Sequence, residues 1–308
     1  MDKYSLVNCI GNTPIVKLNQ IVPKDSADIY VKLEGFNPGG SHKTRIALNM
    51  IEEAEKSGIL VPNSGQTIIE GTGGNTGTGL AIAGCLKGYK VVLVIPKHYI
   101  TKDRMSMLHA YGAKVIVCES AFGAHIETAK RLCNENPDYV YLNQFINPSN
   151  PNTHYKYTGK EIIEQISSPI DGFVCGVGTG GTLSGIAKRI KEAYPSVIIA
   201  AMQPKGCEVL KGIAVPHEIK GNVSAEGIPE TFEVSLVDTS ISVSFDRVKE
   251  IAKLLSTKEG LFLGISSCAN IVAAIELAKT LGSGKTIATI SHDFGNNYVD
   301  FYNELFSN

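Results

Sequence analysis

The sequence lacks long hydrophobic runs, blocks of like charge and a leader of the secretory kind. No apolar stretch approaches the roughly 18–20 residues that a membrane-spanning helix needs. The first residues, MDKYSLVNCIGNTP, lack the basic head and apolar run of a signal peptide. The 29 lysines and arginines nearly balance 30 aspartates and glutamates, so nucleic acid and anionic membranes are poor candidates for partners. We therefore expect a cytoplasmic protein.

Paired-cysteine motifs are also absent. The seven cysteines contain no C-x-x-C and form no Cys/His cluster at metal-ligand spacing, so we expect no metal site. An odd number of scattered cysteines in a cytoplasmic chain is typical of buried thiols. Cys268 differs from the others because it lies in a turn with two serines, described below.

Short apolar runs alternate along the chain with longer segments of helical period. The 308 residues, 43% of them hydrophobic, exceed the size at which one core usually suffices. The alternation predicts α/β domains with parallel sheets wrapped by helices. The predicted strands are 67–71, 90–96, 113–119, 172–178, 196–204, 261–266 and 286–291, and the predicted helices are 44–58, 79–88, 102–112, 125–136, 159–166, 183–195 and 269–282.

No low-complexity linker marks a boundary between domains. The stretch from Asn147 to Pro151 is the best crossing point, because two prolines and two asparagines interrupt the periodic pattern there. We predict a smaller domain over residues 43–150 and a larger one formed by 1–42 plus 151–308. Each is expected to hold a mostly parallel, twisted sheet flanked by helices.

Two glycine-rich turns follow predicted strands and precede predicted helices. They are EGTGGNTGTG (70–79) and GVGTGGT (176–182). Closely spaced glycines let several backbone N–H groups point into one concavity at a helix start, which suits an anion. Neither turn has the pattern of a nucleotide P-loop or of a dinucleotide-binding fold. A turn such as GVGTGGT also has a purely structural explanation, the tight packing of strand against helix.

Two further features complete a set. The turn GISSCA (264–269) carries two hydroxyls from a strand into a helix, and NPGGSHKTR (37–45) places a lysine directly after a run that continues neither strand nor helix. Together, the four segments suit a small molecule that bears a phosphate and a second ligand that bears a carboxylate.

These segments resemble a known family. NPGGSHKTR is similar to the Asn-Pro-x-x-Ser-x-Lys-x-Arg segment of the pyridoxal-phosphate enzymes of the cysteine synthase and cystathionine β-synthase catalytic-core family. The resemblance continues through GNTP (11–14), GTGGNTG (71–77), NQFINPSNPNTHYKYTG (143–159), GVGTGGT and GISS. The motifs occur in order over nearly the whole chain.

The resemblance implies a set of site residues in a cleft between the two domains. Lys43 is implied to form the internal aldimine with pyridoxal phosphate, and Ser266 to lie beside the pyridine nitrogen. Asn75 is implied to bind the ring hydroxyl of the cofactor. The cofactor phosphate would be held by Gly178, Thr179, Gly180, Gly181 and Thr182. The substrate, through its α-carboxylate, would be bound by Thr72, Gly73, Asn75, Thr76 and Gln144.

The implied chemistry is β-replacement on an activated serine through an α-aminoacrylate, because a hydroxyl beside the ring nitrogen favours loss of a β-substituent over transamination. The leading interpretation is a cysteine synthase-like enzyme that joins O-acetylserine or O-phosphoserine to sulfide. The alternatives keep the chemistry with another nucleophile, an amine or a thiol amino acid, or with cysteine as a donor that releases hydrogen sulfide. A non-catalytic binding protein on this scaffold is disfavoured by Lys43. The resemblance also implies a homodimer.

Several departures from the family bear on the substrate. The family commonly reads Pro-Thr-Ser-Gly-Asn-Thr-Gly where this chain has Gly71 and Gly73, which predicts a missing hydrogen bond, a vacancy at Gly73 and a looser loop. The segment 221–229, GNVSAEGIP, replaces Gly-Ile-Gly-Ala-Gly-Phe, so Glu226 is a candidate for facing the site. Asp293 is expected near the ring end, Cys268 is expected to pack, and His292 is expected to be structural.

Overall fold

Strands and helices alternate through residues 4–121, 123–222 and 227–307, the part of the chain that the computed structural model describes. The strands are β1 (Ile15–Lys17), β2 (Asp28–Leu33), β3 (Thr67–Gly71), β4 (Lys90–Pro96), β5 (Lys114–Cys118), β6 (Tyr139–Tyr141), β7 (Gly172–Gly176), β8 (Ile198–Pro204), β9 (Thr239–Val243) and β10 (Thr286–Ser291).

The α-helices of the described residues follow the strands in both halves of the chain. They are α1 (Lys43–Lys56), α2 (Asn75–Lys87), α3 (Lys102–Ala110), α4 (Ala124–Glu135), α5 (Ser149–Thr153), α6 (Gly159–Gln165), α7 (Gly181–Ala193), α8 (Phe245–Leu254), α9 (Ile265–Leu281) and α10 (Val299–Phe306). In these residues no helix is long and apolar enough to span a membrane.

The chain packs as two compact units. The first unit contains Met1–Gly11 and Asn37–Asn150, and the second contains Asn12–Phe36 and Pro151–Asn308. The sequence prediction placed residues 1–42 in the larger domain, whereas here residues 4–11 and 37–42 pack with the first unit. Contacts that no periodicity encodes hold them there: the turn Leu6–Cys9 contacts α2, and Thr44 Oγ1 of α1 donates to Pro38 O (2.6 Å).

The sheet of the first unit has the order β5-β4-β3-β6 with every pair parallel. Successive residues of β4 face opposite sides, because side chains alternate across a strand. Val91, Leu93 and Ile95 pack with α1 and α2, while Val92 and Val94 pack with Ala129 of α4. Burial on both faces accounts for the unbroken apolar run of this strand.

The sheet of the second unit has the order β1-β2-β10-β7-β8-β9. Strand β1 is antiparallel to β2, and the remaining pairs are parallel. Helices α8, α9 and α10 pack on one face and α6 and α7 on the other, around separate apolar clusters. The predicted α/β architecture of mostly parallel sheets flanked by helices is confirmed.

The predicted strand at 261–266 is wrong. Leu263 makes only an isolated bridge to Phe294, and Ile265 already begins α9. Most of α9 is buried, so the segment is apolar on all sides and a short window of it cannot be told from a buried strand. Glycines 58, 88, 112 and 282, which follow the ends of α1, α2, α3 and α9, all have positive φ.

Candidate active site

Lys43 opens α1 after a turn that the sequence builds from glycine. Gly39 and Gly40 have φ of +81° and +76°, a region that favours glycine. Gly40 N donates to Asn37 O (2.8 Å), and Thr44 Oγ1 donates to Pro38 O (2.6 Å). These bonds fix the chain on both sides of Lys43, whose side chain is half-buried.

A second glycine brings α2 against the first turn of α1. A Cβ on Gly79 would lie 2.8 Å from both the carbonyl carbon and the oxygen of Lys43. Only glycine allows this close approach. The backbone of Lys43 is therefore held against the helix that begins at the implied substrate loop.

The implied substrate residues meet at the end of β3 and the start of α2. Thr72 N donates to Val94 O (2.9 Å), and Thr72 Oγ1 accepts from Gly74 N (3.3 Å). Thr76, in the first turn of α2, donates through Oγ1 to Gln144 Oε1 (2.7 Å), and both side chains are buried. Asn75 opens α2 and is half-buried. The first unit thus collects Thr72, Gly73, Asn75, Thr76 and Gln144 around one loop.

Glu70, the last residue but one of β3, supports this loop from beneath. Its carboxylate accepts from Asn143 N (3.0 Å) and Gln144 N (3.3 Å), and it is fully buried. Burial raises the pKa of Glu70 from its ordinary 4.5 to about 8, although the two N–H groups and the charge of Lys43 act in the opposite direction. A carboxyl group able to hold a proton therefore lies within electrostatic reach of Lys43.

The predicted vacancy at Gly73 is wrong. A Cβ on Gly73 would lie 2.6 Å from Cγ of Tyr99, so an aromatic ring already fills that space. Gly71 is similarly enclosed, since its Cβ would lie 2.7 Å from the carbonyl carbon of His125. Both glycines are required by neighbouring segments that approach the loop.

The implied phosphate loop lies at the N-terminus of α7 in the second unit. Gly180 has φ of +83°, and its Cβ would lie 2.7 Å from Cα of Phe232. A Cβ on Gly178 would overlap the carbonyl oxygen of Gly221. Thr231 Oγ1 donates to Thr179 O (2.6 Å) and holds the turn. Because the first N–H groups of a helix have no partners within it, this cradle presents donors that suit an anion.

The buried side chains of His154 and Asn222 border the cradle. Thr182 Oγ1 lies 3.2 Å from Nε2 of His154. Asn222 is 3% exposed and lies against Gly176, and its buried amide nitrogen has no hydrogen-bond partner in the described chain. A buried donor without an acceptor is costly, and a bound ligand would satisfy it. The glycine cradle, the helix N-terminus and this donor together fit a phosphorylated cofactor.

Ser266 lies buried in the first turn of α9, and its neighbour Ser267 contacts the buried residue Asp293. Asp293 Oδ2 accepts from Tyr298 Oη (2.8 Å), and Ser267 Oγ donates to Asp293 O (3.2 Å). Ser266 is therefore anchored through its neighbour. Burial raises the pKa of Cys268 to about 12, so that thiol packs as an apolar group. Glu226 lies outside the described residues.

Sequence reasoning missed four residues of these sites. Tyr99 and Arg104 follow β4, far from the loop in sequence, although Arg104 Nη1 donates to Gly73 O (2.7 Å). Asn222 lies in a segment without a periodic pattern. Glu70 did give a signal, since it is the one charged residue in the predicted apolar strand TIIEG. A charge in a strand buried on both faces indicates a dedicated partner.

Comparison with known proteins identifies relatives over nearly the full chain. The family described as pyridoxal-phosphate dependent enzyme matches residues 6–293. A cysteine synthase of Staphylococcus aureus (strain N315) is 44% identical over 299 residues, which cover 96% of this chain and 95% of that protein.

Solved structures agree. A hydrogen sulfide-producing enzyme from Fusobacterium nucleatum is 40% identical with a TM-score of 0.90, covering 96% of this chain and 97% of that one. An O-acetylserine dependent cystathionine beta-synthase from Helicobacter pylori is 33% identical with a TM-score of 0.89, covering 97% and 98%.

These likenesses confirm the resemblance, the cofactor and the enzyme class predicted from the motifs, that of a cysteine synthase-like β-replacement enzyme. The chain belongs to the family of pyridoxal-phosphate dependent enzymes.

Proposed function

We propose that this enzyme joins an activated serine, O-acetylserine or O-phosphoserine, to sulfide. The observation that carries the proposal is the loop of the first unit. There Thr76 is hydrogen-bonded to Gln144, the backbone N–H of Gln144 donates to Glu70, and the charge of Lys43 acts on Glu70. The identity of 44% to a cysteine synthase over 96% of the chain supports the same reaction.

The residues that the family resemblance implies would hold the cofactor. Lys43 would bind its aldehyde carbon and Asn75 its ring hydroxyl, while the residues 178–182 would bind its phosphate. Ser266 would lie beside the ring nitrogen. When bound, pyridoxal phosphate supplies a ring that accepts negative charge and so lowers the barrier to removing the substrate Cα proton.

Side chains of the protein would move the proton and orient the substrate. Lys43 would take the proton from the substrate Cα through its amine and later return one. Thr72, Thr76 and the Gln144 amide orient the α-carboxylate, and this orientation keeps the Cα–H bond within reach of the lysine amine. Glu70 fixes the Gln144 backbone, so the amide keeps its direction while substrates exchange.

A second candidate keeps the chemistry and changes the substrates. The segment 221–229 departs from the family's glycine-rich pattern. The F. nucleatum relative is a hydrogen sulfide-producing enzyme and the H. pylori relative a cystathionine beta-synthase. Cysteine as the donor, or a thiol amino acid as the nucleophile, is therefore the alternative.

The deciding experiment offers serine, O-acetylserine, O-phosphoserine and cysteine in turn to the cofactor-bound protein, with and without sulfide. Formation of cysteine from either activated serine, faster than sulfide release from cysteine, supports the leading proposal. Sulfide release from cysteine without appreciable cysteine synthesis refutes it in favour of the alternative. Lys43→Ala, treated identically, controls for reaction of free cofactor with the same amino acids. A homodimer and a cytoplasmic location remain parts of the proposal.

A further inference from the structure

Tyr99 lies where a side chain on residue 73 would otherwise lie. It is the last residue of a short 3-10 turn, Lys97–Tyr99, that follows β4, and its side chain is half-buried. A Cβ on Gly73 would be 2.6 Å from Cγ and 2.8 Å from Cε2 of the Tyr99 ring. Distances below 3.0 Å are not found for real Cβ atoms, so ring and side chain exclude each other.

Arg104 hydrogen-bonds both the substrate loop and the Lys97–Tyr99 turn through one guanidinium nitrogen. Its Nη1 donates to Gly73 O (2.7 Å) and to Tyr99 O (3.1 Å). Both acceptors of the Arg104 guanidinium are therefore backbone carbonyls, one in each segment. A bond from a charged donor to each segment fixes the distance between them.

The neighbouring glycine behaves differently and provides a comparison. A Cβ on Gly74 would meet nothing within 4 Å. Neither Gly73 nor Gly74 has the positive φ that demands glycine. The room for a side chain therefore differs between the two positions because the Tyr99 ring lies against Gly73 alone.

From this arrangement we propose that Tyr99 is a specificity-determining residue. Its ring forms the wall of the substrate loop at position 73, where glycine contributes no side chain. Arg104 is the positioning residue that keeps the ring and the loop together. This inference rests on the proposed function, since it assumes that the loop 72–76 binds the α-carboxylate of an amino acid. Its consequence is that the shape of the carboxylate site at Gly73 is set by Tyr99, 26 residues further along the chain.

The contact itself is tested by a double-mutant cycle on the thermal unfolding of the cofactor-bound protein. Gly73→Ala should lower the unfolding temperature by about 3–6 °C, because it forces a methyl group into the ring. In the Tyr99→Ala background the same substitution should cost less than half as much. Gly74→Ala, the matched control, should shift the temperature by about 1 °C or less in either background. Equal effects of Gly73→Ala in both backgrounds would show that the ring does not occupy this space.

Kinetics test the role in recognition. Tyr99→Ala should raise KM for the amino-acid donor about tenfold, a change of about 1.4 kcal/mol, because the loop is no longer preorganised. The value of kcat should change less than the value of KM, since the ring does not move a proton. Tyr99→Phe keeps the ring and should restore most of the lost affinity, and Gly73→Ala should raise KM only while Tyr99 is present.

The outcomes separate this inference from the proposed function. A wild-type protein without β-replacement activity would refute the proposed function, and the inference with it. Normal wild-type turnover with an unchanged KM in Tyr99→Ala would refute the inference alone, even if the unfolding cycle shows coupling. A Tyr99→Phe variant as impaired as Tyr99→Ala would also refute it, because the ring would then not be the determinant.

Discussion

Replacing Glu70 by glutamine should make the protein less stable than wild type at low pH and more stable than wild type at high pH. A carboxyl group whose folded pKa lies above its unfolded value binds more protons in the folded state. Its contribution to stability is therefore complete below the unfolded pKa of 4.5 and is lost as pH rises through about 8. At about 1.4 kcal/mol per unit between the two pKa values, the loss between pH 5 and pH 9 is about 4 kcal/mol. Glutamine does not titrate and avoids that loss.

The glutamine also has a fixed cost. Glu70 offers one oxygen to Asn143 N and the other to Gln144 N, and in Glu70→Gln one of these positions holds an NH2 group. An unmade buried hydrogen bond costs about 1–2 kcal/mol. We therefore expect the variant to be less stable than wild type at pH 5 by about 1–2 kcal/mol, and more stable at pH 9 by about 2–3 kcal/mol.

The assay is denaturant unfolding of the cofactor-free, full-length chain from pH 5 to pH 9. Tyrosine fluorescence serves as the signal, because the chain has no tryptophan. Glu119→Gln, an exposed carboxylate of the same unit, is the control and should track wild type throughout. If the curves of Glu70→Gln and wild type run parallel over this range, Glu70 does not hold a proton in the folded state and the reasoning from burial is wrong.

Three further substitutions test the cofactor site. Lys43→Ala should lose the absorbance of lysine-bound cofactor together with turnover, and a variant that still turns over at the wild-type rate would contradict the assignment. Thr179→Val should weaken pyridoxal-phosphate binding by about tenfold through loss of one hydrogen bond to a charged group, measured by titration, while unfolding changes little. Asn222→Leu should raise the unfolding temperature of the cofactor-free protein and reduce the further rise on adding cofactor; a lower temperature without cofactor would show that the amide is not unsatisfied.

The buried strands and the periodic helices could be read from the sequence because their signals are local. Strands 67–71, 90–96 and 286–291 were predicted with the observed bounds. Strand β2, DIYVKL, was missed because its lysine interrupts the apolar pattern. Lys32 is nevertheless fully buried, paired with Glu161 at 2.7 Å and bonded to Thr13 O, and neither partner is near it in sequence.

The same limit applies to the site. Motif resemblance located Lys43 and both glycine-rich turns, since those segments are continuous in sequence. It predicted empty space at Gly73, because nothing local reveals that Tyr99 returns to that position. Close approach between distant segments is set by tertiary packing. A glycine in the sequence indicates that another segment lies close to it but does not identify that segment.

The pairing of β2 with β10 also determines which sheet can form first while the protein is being synthesised. Residues 28–33 emerge from a ribosome early, yet the strand they pair with is formed by residues 286–291. The strands of the first unit, by contrast, are all made once residue 141 has appeared. The first unit can therefore complete its sheet during translation, while β2, with Ile29 and Val31, awaits its partner with one edge open to other chains. Nascent chains paused in the last third of the message should therefore be the ones that aggregate or recruit chaperones.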